Sequence, residues 1–411
     1  MAAKETIYIV GAGISGLIAA YELEKAGYAP VILEKSDTVG GRVQTVSVNG
    51  FDLDLGFQVL LSSYPLVNEY LDMSTLRLKR LKFASQIYIN GKRYLIGDVL
   101  RNIGLLLPTL LADIGSLNDK WKVFKLNMRL KKKSIDAIFT SPETTTKEYL
   151  RAQGFSEKII DRFFRPFFSG IFLESELRTS SRMFEFVYKM FGEGFAAIPE
   201  LGIGAISAQL KEKLKCSEFQ FGQEVKQVTN THITLKNGEN LTHGGVIITV
   251  DASALVPNMN DQAVQWKSCT CLYFKIDNTN IPEGTIALVG EQGKLANSMY
   301  AYQDISGRRL LSVTTLKGTE KTEQELTEAV AAEVKHYCGV QKIKHIVNFN
   351  ITKALPDLTH LKMMAEPSES QLTDHIFVAG DILFNGSLNA AMESGRLAAH
   401  GLIQKKNGIM M

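Results

Sequence analysis

An α/β fold, with one parallel sheet assembled from distant parts of the chain and an α+β unit inserted between them, is predicted by three observations. A short β-branched strand, Thr6 to Val10, runs into Gly11, Gly13 and Gly16 and then into apolar residues at helical spacing, Leu17 to Ala26. A second strand, Pro30 to Leu33, ends on the acid Glu34. Near the other end, the strand-like run His375 to Ala379 breaks at Gly380-Asp381 before a helix opens at Gly386 to Asn389. The first two features are the strand, tight turn and helix of a dinucleotide site. The third is a glycine turn able to hold the same ligand from the opposite end of the chain.

The chain has 411 residues, too many for one simple core, so two domains or three are expected. With 45% hydrophobic and 22% charged residues it reads as an ordinary folded protein. A net charge of +3 from 46 Lys and Arg against 43 Asp and Glu gives no reason to expect nucleic acid as a partner. The basic run Lys131-Lys132-Lys133 reads as a solvated helix face. Cys216, Cys269, Cys271 and Cys338 have neither metal-ligand spacing nor the density of a disulfide framework, so no metal site is expected and the setting reads as cytoplasmic. No signal peptide or membrane-spanning run is visible in the sequence. The apolar run Ile103 to Leu111, interrupted by Pro108 and followed by basic residues from Lys120 to Lys133, reads as a buried helix in preference to peripheral contact with the inner face of a membrane.

Each residue of the first turn has a physical task. Gly11 permits the turn, Gly13 lets the backbone approach a pyrophosphate, and Gly16 lets the helix lie against the strand, while Ile14 and Ser15 form the first helical turn that faces the phosphates with free N–H groups. This is a Rossmann-type arrangement. Glu34 would accept from ribose hydroxyls, with Lys35 beside it, and an acid there disfavours a 2′-phosphate. Beyond it lies Val39-Gly40-Gly41-Arg42, two glycines for close approach and a cationic fork for phosphate.

With Gly-Gly-Arg after the nucleotide acid, the sequence resembles the FAD-dependent amine oxidoreductase superfamily of monoamine oxidases, protoporphyrinogen oxidases and phytoene desaturase-like flavoproteins. The resemblance implies FAD as cofactor. Phe51 to Gln58 looks like the family segment that passes beneath the flavin, which would bring Gly56, Phe57 and Gln58 to the ring. Gln58 could present its amide to flavin or substrate, or make a surface hydrogen bond. Asp54 reads as a turn cap.

The expected division is residues 1–64, 201–265 and 356–411 for the FAD domain, with a mainly helical 65–200 and a β-rich 266–355 as the substrate domain. Phe163 to Phe172 is dense in aromatics and resembles the Pro-Phe-x-Ser-Gly-Val segment of the protoporphyrinogen oxidase and carotenoid desaturase branches. There it walls the substrate domain, which makes Arg165 and Phe168 pocket candidates beside Gln58; as bare chemistry the same aromatics build a core. Gly192 to Gly204 returns the chain to the cofactor domain, before a helix at Ile206 to Leu214. Val225 would touch the adenine through its backbone by resemblance, Asn237-Gly238 turns a hairpin, Val246 to Val250 forms a buried strand, and Asp251-Ala-Ser253 would lie near the dinucleotide.

At the C-terminal end Asp381 would accept from a ribityl hydroxyl or a pyrophosphate-bound water, and the N–H groups around Ser387, Leu388 and Asn389 would face the flavin pyrimidine, where reduction builds negative charge. Ala390, Ala391, Ser394 and Gly395 are small where a helix must lie close to a neighbour, and Ser394-Gly395-Arg396 matches the family's terminal signature. No cysteine stands in this segment, unlike the monoamine oxidases that attach their flavin through one, so noncovalent FAD is expected. No acid–base triad is visible, and none is needed when a flavin accepts the hydride. The leading expectation is an FAD-dependent oxidase or desaturase acting on a hydrophobic small molecule, with oxygen or a quinone as electron acceptor. The alternatives are an amine oxidase that produces hydrogen peroxide, and a flavin-bearing scaffold or membrane-associated protein without turnover.

Overall fold

The computed structural model describes residues 6–99, 101–257, 259, 263–316 and 320–408. Its organising element is a five-stranded sheet in the order Glu218–Phe221, Val31–Glu34, Ile7–Val10, Gly245–Ile248, Ile376–Val378, parallel throughout. Three distant stretches of chain therefore meet in one sheet, as the two terminal motifs predict. Its central strands are apolar on both faces because both faces are covered. Ile7, Ile9, Ile32, Ile247 and Phe377 share a core with the helices Ile14–Lys25 and Leu388–Lys406. Val10, Leu33, Val246, Ile248 and Ile376 pack against Val228, Ile233 and Leu235 of the three-stranded antiparallel sheet formed by Val225–Val228, His232–Leu235 and Asn240–Thr242.

The two helices lie close enough that a Cβ on Gly395 would stand 2.3 Å from the Ser15 carbonyl oxygen. Glu22 ties the same helices together: it accepts from Tyr70 at 2.9 Å and lies 3.3 Å from His400. Burial pushes its carboxyl up, but the hydrogen bonds from His400, Tyr70 and Lys25 outweigh that and hold it at about 2.

A seven-stranded mixed sheet stands beside this layer, in the order Ile343–Pro356, Trp266–Ile276, Arg309–Thr315, Ala296–Gln303, Ile286–Val289, Ala84–Ile89, Lys92–Gly97. Its last two strands come from the stretch the sequence reads as mainly helical. They form a hairpin whose turn residues, Asn90 at φ 51° and Gly91 at φ 69°, take the left-handed conformation that asparagine and glycine tolerate, and Ala84–Ile89 then pairs in parallel with Ile286–Val289.

The rest of that stretch is helical, with Leu117–Lys132, Arg165–Phe172 and Ser181–Glu193 around a core that includes Phe164, Phe168, Phe184 and Phe186. Ile103 to Leu111 is not the buried helix expected from its apolar sequence. It forms a 3₁₀ turn and the six-residue helix Leu106–Leu111, with Ile103 81% exposed, Leu107 64% and Leu111 73%. The run is apolar on every side, so a short helix that turns one side to the protein must leave the others in solvent. Among the described residues no helix is long and apolar enough to cross a membrane.

Candidate functional site

The first turn takes the shape its glycines permit. Gly11 sits at φ 102°, where a side chain is strained, and its N–H donates to the Leu33 carbonyl at 2.8 Å. The Thr249 hydroxyl donates to the Val10 carbonyl at 2.8 Å and stands 2.8 Å from where a Gly11 Cβ would be. A Cβ on Gly16 would lie 2.1 Å from the Gly11 carbonyl oxygen, so close helix–strand packing requires glycine there. Gly13 differs: it is the N-cap of the helix Ile14–Lys25, and a Cβ there would meet nothing within 4 Å. Open space thus stands at a helix N-terminus, where unpaired N–H groups and the helix dipole favour an anion. Ile14 and Ser15 are buried in the first helical turn, with Ser15 Oγ 3.3 Å from Ser394 Oγ.

The second glycine pair closes over the same place. Gly40 donates to the Ala12 carbonyl at 2.9 Å and bridges to Gly13, while a Cβ on Gly41 would sit 3.5 Å from the Gly13 Cα. Glu34 is buried at the lip of this cradle. One carboxylate oxygen accepts from the Ala12 N–H at 2.7 Å, and the other accepts from the Ser36 N–H at 3.0 Å and the Ser36 hydroxyl at 2.8 Å. Its backbone carbonyl takes the Gln223 N–H at 2.9 Å, which brings Val225 to the same edge, while Lys35 points to solvent. Asp251 bonds Ser253 locally, at 3.1 Å to its N–H and 2.6 Å to its hydroxyl, and so caps its own turn.

From the other end, Asp381 is buried with Oδ1 2.5 Å from Arg42 Nη2. The Gly380 N–H donates to Ser394 Oγ at 2.9 Å. The Arg42 guanidinium lies 5.1 Å above the Trp266 ring, and the Lys353 ammonium is 5.8 Å from the same ring. In the helix Leu388–Lys406 the Ser387 hydroxyl caps the Ala390 N–H at 3.1 Å, leaving the N–H groups of Leu388 and Asn389 without intrahelical acceptors. The Asn389 side chain accepts from the Leu66 N–H at 3.1 Å and fixes that end of the helix.

The segment Phe51 to Gln58 is pinned by Asp54, which accepts from the Thr45 hydroxyl at 2.7 Å and the Ile203 N–H at 2.8 Å; burial pushes its carboxyl up despite those bonds. Gly56, at φ 88°, follows. The Gln58 amide nitrogen donates to the Arg42 carbonyl at 2.7 Å and the Leu55 carbonyl at 3.2 Å, so it braces the Gly-Gly-Arg turn. The Phe57 ring is 5.3 Å from Tyr300.

A cavity of about 250 Å³ opens among the inserted helices and strands. Phe163, Phe167, Phe168, Tyr188 and Phe191 wall it, and among the described residues the charged ones lining it are Lys82, Asp98 and Lys120. Ile286 completes the wall and is the cross-strand partner of Tyr300, so one residue pair on one sheet face separates the cavity from Phe57. Phe168 lines this apolar cavity. Arg165 does not reach it: Nη2 bonds Asp161 at 2.6 Å, one helical turn earlier, and Nη1 donates to the Ser175 carbonyl at 3.3 Å. Sequence reasoning missed Trp266, Ser394 as the link between the chain ends, and Tyr300. Trp266 is one of only two tryptophans in the chain, a signal that could have marked it.

The profile of flavin containing amine oxidoreductases matches residues 14–403. The chain is 30% identical over 169 residues to protoporphyrinogen oxidase 2, chloroplastic/mitochondrial, of Arabidopsis thaliana, covering 40% of this chain and 32% of that one. It is 27% identical over 270 residues to an L-amino acid oxidase of Cerastes cerastes, covering 60% and 51%. The chain thus spans about a third to a half of these relatives. Its fold matches that of a fatty acid isomerase from P. acnes, described as producing CLA, with a TM-score of 0.71 at 16% identity over 96% of this chain and 97% of that one. It also matches putrescine oxidase bound to putrescine, with a TM-score of 0.68 at 14% identity over 97% and 99%. The chain belongs to the flavin containing amine oxidoreductases, and FAD is its cofactor.

Proposed function

We propose that this FAD-dependent oxidoreductase oxidises or desaturates a hydrophobic small molecule, with oxygen or a quinone as the final electron acceptor. The observation that carries this reading is the aromatic cavity, which is one cross-strand pair from Phe57. An apolar substrate gains from such a wall, roughly 25 cal/mol for each Å² removed from water. A primary ammonium would instead need an anionic partner, and Asp98 is already paired with Arg101 at 3.5 Å.

Bound FAD supplies the hydride acceptor. Gly13, with Ile14 and Ser15, cradles the pyrophosphate at a helix N-terminus in a turn that Gly11 and Gly16 make possible, and Gly41 admits it from the opposite side. Glu34 orients the ribose from a carboxylate that Ala12 and Ser36 already hold in place. Val225 supports the adenine edge. Arg42 and Asp381 set the charge balance beside the phosphates and ribityl chain, and the N–H groups of Leu388 and Asn389 counter negative charge that develops nearby. Gly56 and Phe57 form the floor, and Gln58 holds that floor to Arg42. With no cysteine in the C-terminal segment to form a thioether, FAD is held noncovalently.

Anaerobic titration of the purified flavoprotein with polyenes, tetrapyrrole precursors and simple amines tests the reading. Bleaching of the oxidised-flavin band by an apolar substrate supports it. Bleaching by simple amines alone, with peroxide formed on readmitting air, replaces it with an amine oxidase.

A further inference from the structure

We infer that the surface formed by Ile103 to Met128 docks on an anionic lipid bilayer, and that this face borders the substrate cavity. Fifteen large apolar side chains are exposed among the described residues, and nine of them lie between Ile103 and Met128. They form two adjoining groups. The short helix Leu106–Leu111 and the turn before it present Ile103, Leu107 and Leu111. The helix Leu117–Lys132 presents Leu117, Trp121, Phe124 and Met128, whose spacing of four, three and four residues makes one continuous stripe. Its buried side is separate and carries Leu126 and Leu130. The Lys120 ammonium joins the two groups by donating to the Leu110 carbonyl at 2.6 Å and the Ala112 carbonyl at 2.8 Å.

Charge identifies the occupant. Between Ile103 and Lys133 there are seven cations and two acids. Both acids are engaged: Asp113 by Lys158 and by Arg162 at 2.6 Å, and Asp119 by Ser116 and Ser156, at 2.7 and 2.8 Å to their hydroxyls. Lys125 and Lys132 are exposed beside the stripe, as is Arg129, which reaches Gln153 and Tyr149. A second copy seated across a twofold axis would set these cations against their own counterparts. An anionic bilayer instead takes leucine and tryptophan into its interface and lysine at its headgroups.

Phe124 belongs both to the exposed stripe and to the cavity wall, alongside Thr109, Lys120 and Val123. A lipid-dissolved substrate would thus meet the cavity on the face that touches the bilayer. This last step rests on the hydrophobic-substrate reading; docking itself does not.

The test uses the FAD-loaded protein with vesicles of phosphatidylcholine alone or with about a third phosphatidylglycerol. Expected is flotation with the anionic vesicles, weakened by 0.5 M salt at roughly the scale set by screening, and a blue-shifted emission quenched by brominated acyl chains that Trp121→Phe removes. Leu107→Asp with Leu111→Asp, both at exposed positions, should lower vesicle binding at least about tenfold, and Lys125→Glu with Lys132→Glu by at least about twenty-five-fold, at about fivefold per cation. No flotation on anionic vesicles overturns the inference, as does flotation without quenching of Trp121. So does a dimer in solution that Leu107→Asp with Leu111→Asp abolishes. Turnover of detergent-dispersed substrate without flotation overturns docking and leaves the proposed function standing; flotation without any flavin bleaching does the reverse.

Discussion

Arg42 Nη2 and Asp381 Oδ1 meet at 2.5 Å across 339 residues of sequence, joining the Gly-Gly-Arg turn to the glycine turn after the last strand of the parallel sheet. Asp381 is 4% exposed, so the pair is more than a surface contact. Among the described residues it is the closest polar link between the two ends of the chain that frame the proposed cofactor cradle, and Ser394, bonded to Gly380 and facing Ser15, braces the same junction.

Removing one partner should therefore cost more than removing both. Arg42→Ala leaves a buried carboxylate without its cation and is expected to destabilise the apoprotein by about 1–3 kcal/mol. Arg42→Ala combined with Asp381→Asn should recover part of that loss. Urea unfolding of the two single variants and the double variant measures the coupling, and strictly additive losses would show that the pair carries none.

Gly13 and Gly16 stand three residues apart and should respond in opposite ways. Gly16→Ala forces a methyl onto the Gly11 carbonyl and should destabilise the fold by several kcal/mol, on the scale of overpacking. Gly13→Ala places its methyl in open space, so apoprotein stability should move by less than about 1 kcal/mol. The same open space is the proposed pyrophosphate site, so FAD affinity should fall at least about tenfold, or 1.4 kcal/mol.

Much of this geometry could be read from the sequence because glycine spacing records backbone demands directly: Gly11, Gly16 and Gly41 are needed wherever the turn forms. The pairing of distant strands was legible for the same reason, since each of the two ends carries its own strand and turn. Other features depend on contacts that no local pattern encodes. Gln58 is drawn to the Arg42 carbonyl by a fold-level approach of two turns, and Ile103 to Leu111 is apolar whether buried or exposed. Two signals were present but not used: Asn90-Gly91 marks the hairpin Ala84–Gly97, and Asp161, four residues before Arg165, offers the helical ion pair that holds Arg165 outside the cavity lining.

Glu22 makes stability depend on acid pH. Its carboxyl is held at about 2 in the folded protein, below the value of 4.5 it has when free, so its contribution is present above pH 4.5 and is lost as pH falls through about 2. Glu22→Gln should be less stable at neutral pH by about 1–3 kcal/mol and show a flatter loss of stability between pH 4.5 and 2. Thermal unfolding across that range compares the two proteins, and parallel curves would remove Glu22 from the account.

Within the cavity, Phe167→Gln puts an amide into an apolar wall and should raise KM for an apolar substrate about tenfold, equivalent to 1.4 kcal/mol, without changing the flavin spectrum. Arg165→Gln should leave KM unchanged, because its guanidinium is bound to Asp161 and Ser175. Steady-state kinetics of both variants separates wall from scaffold; a raised KM in Arg165→Gln would return that residue to the substrate site.

The most direct measurement is a titration of FAD into apoprotein, wild type beside Gly13→Ala, followed by acid precipitation. The account predicts a saturable oxidised-flavin spectrum for the wild type, binding weakened at least about tenfold in the variant, and all yellow colour in the supernatant after acid. Equal binding by the two proteins, or colour retained on the precipitate, would contradict a noncovalent FAD site cradled by the first glycine turn.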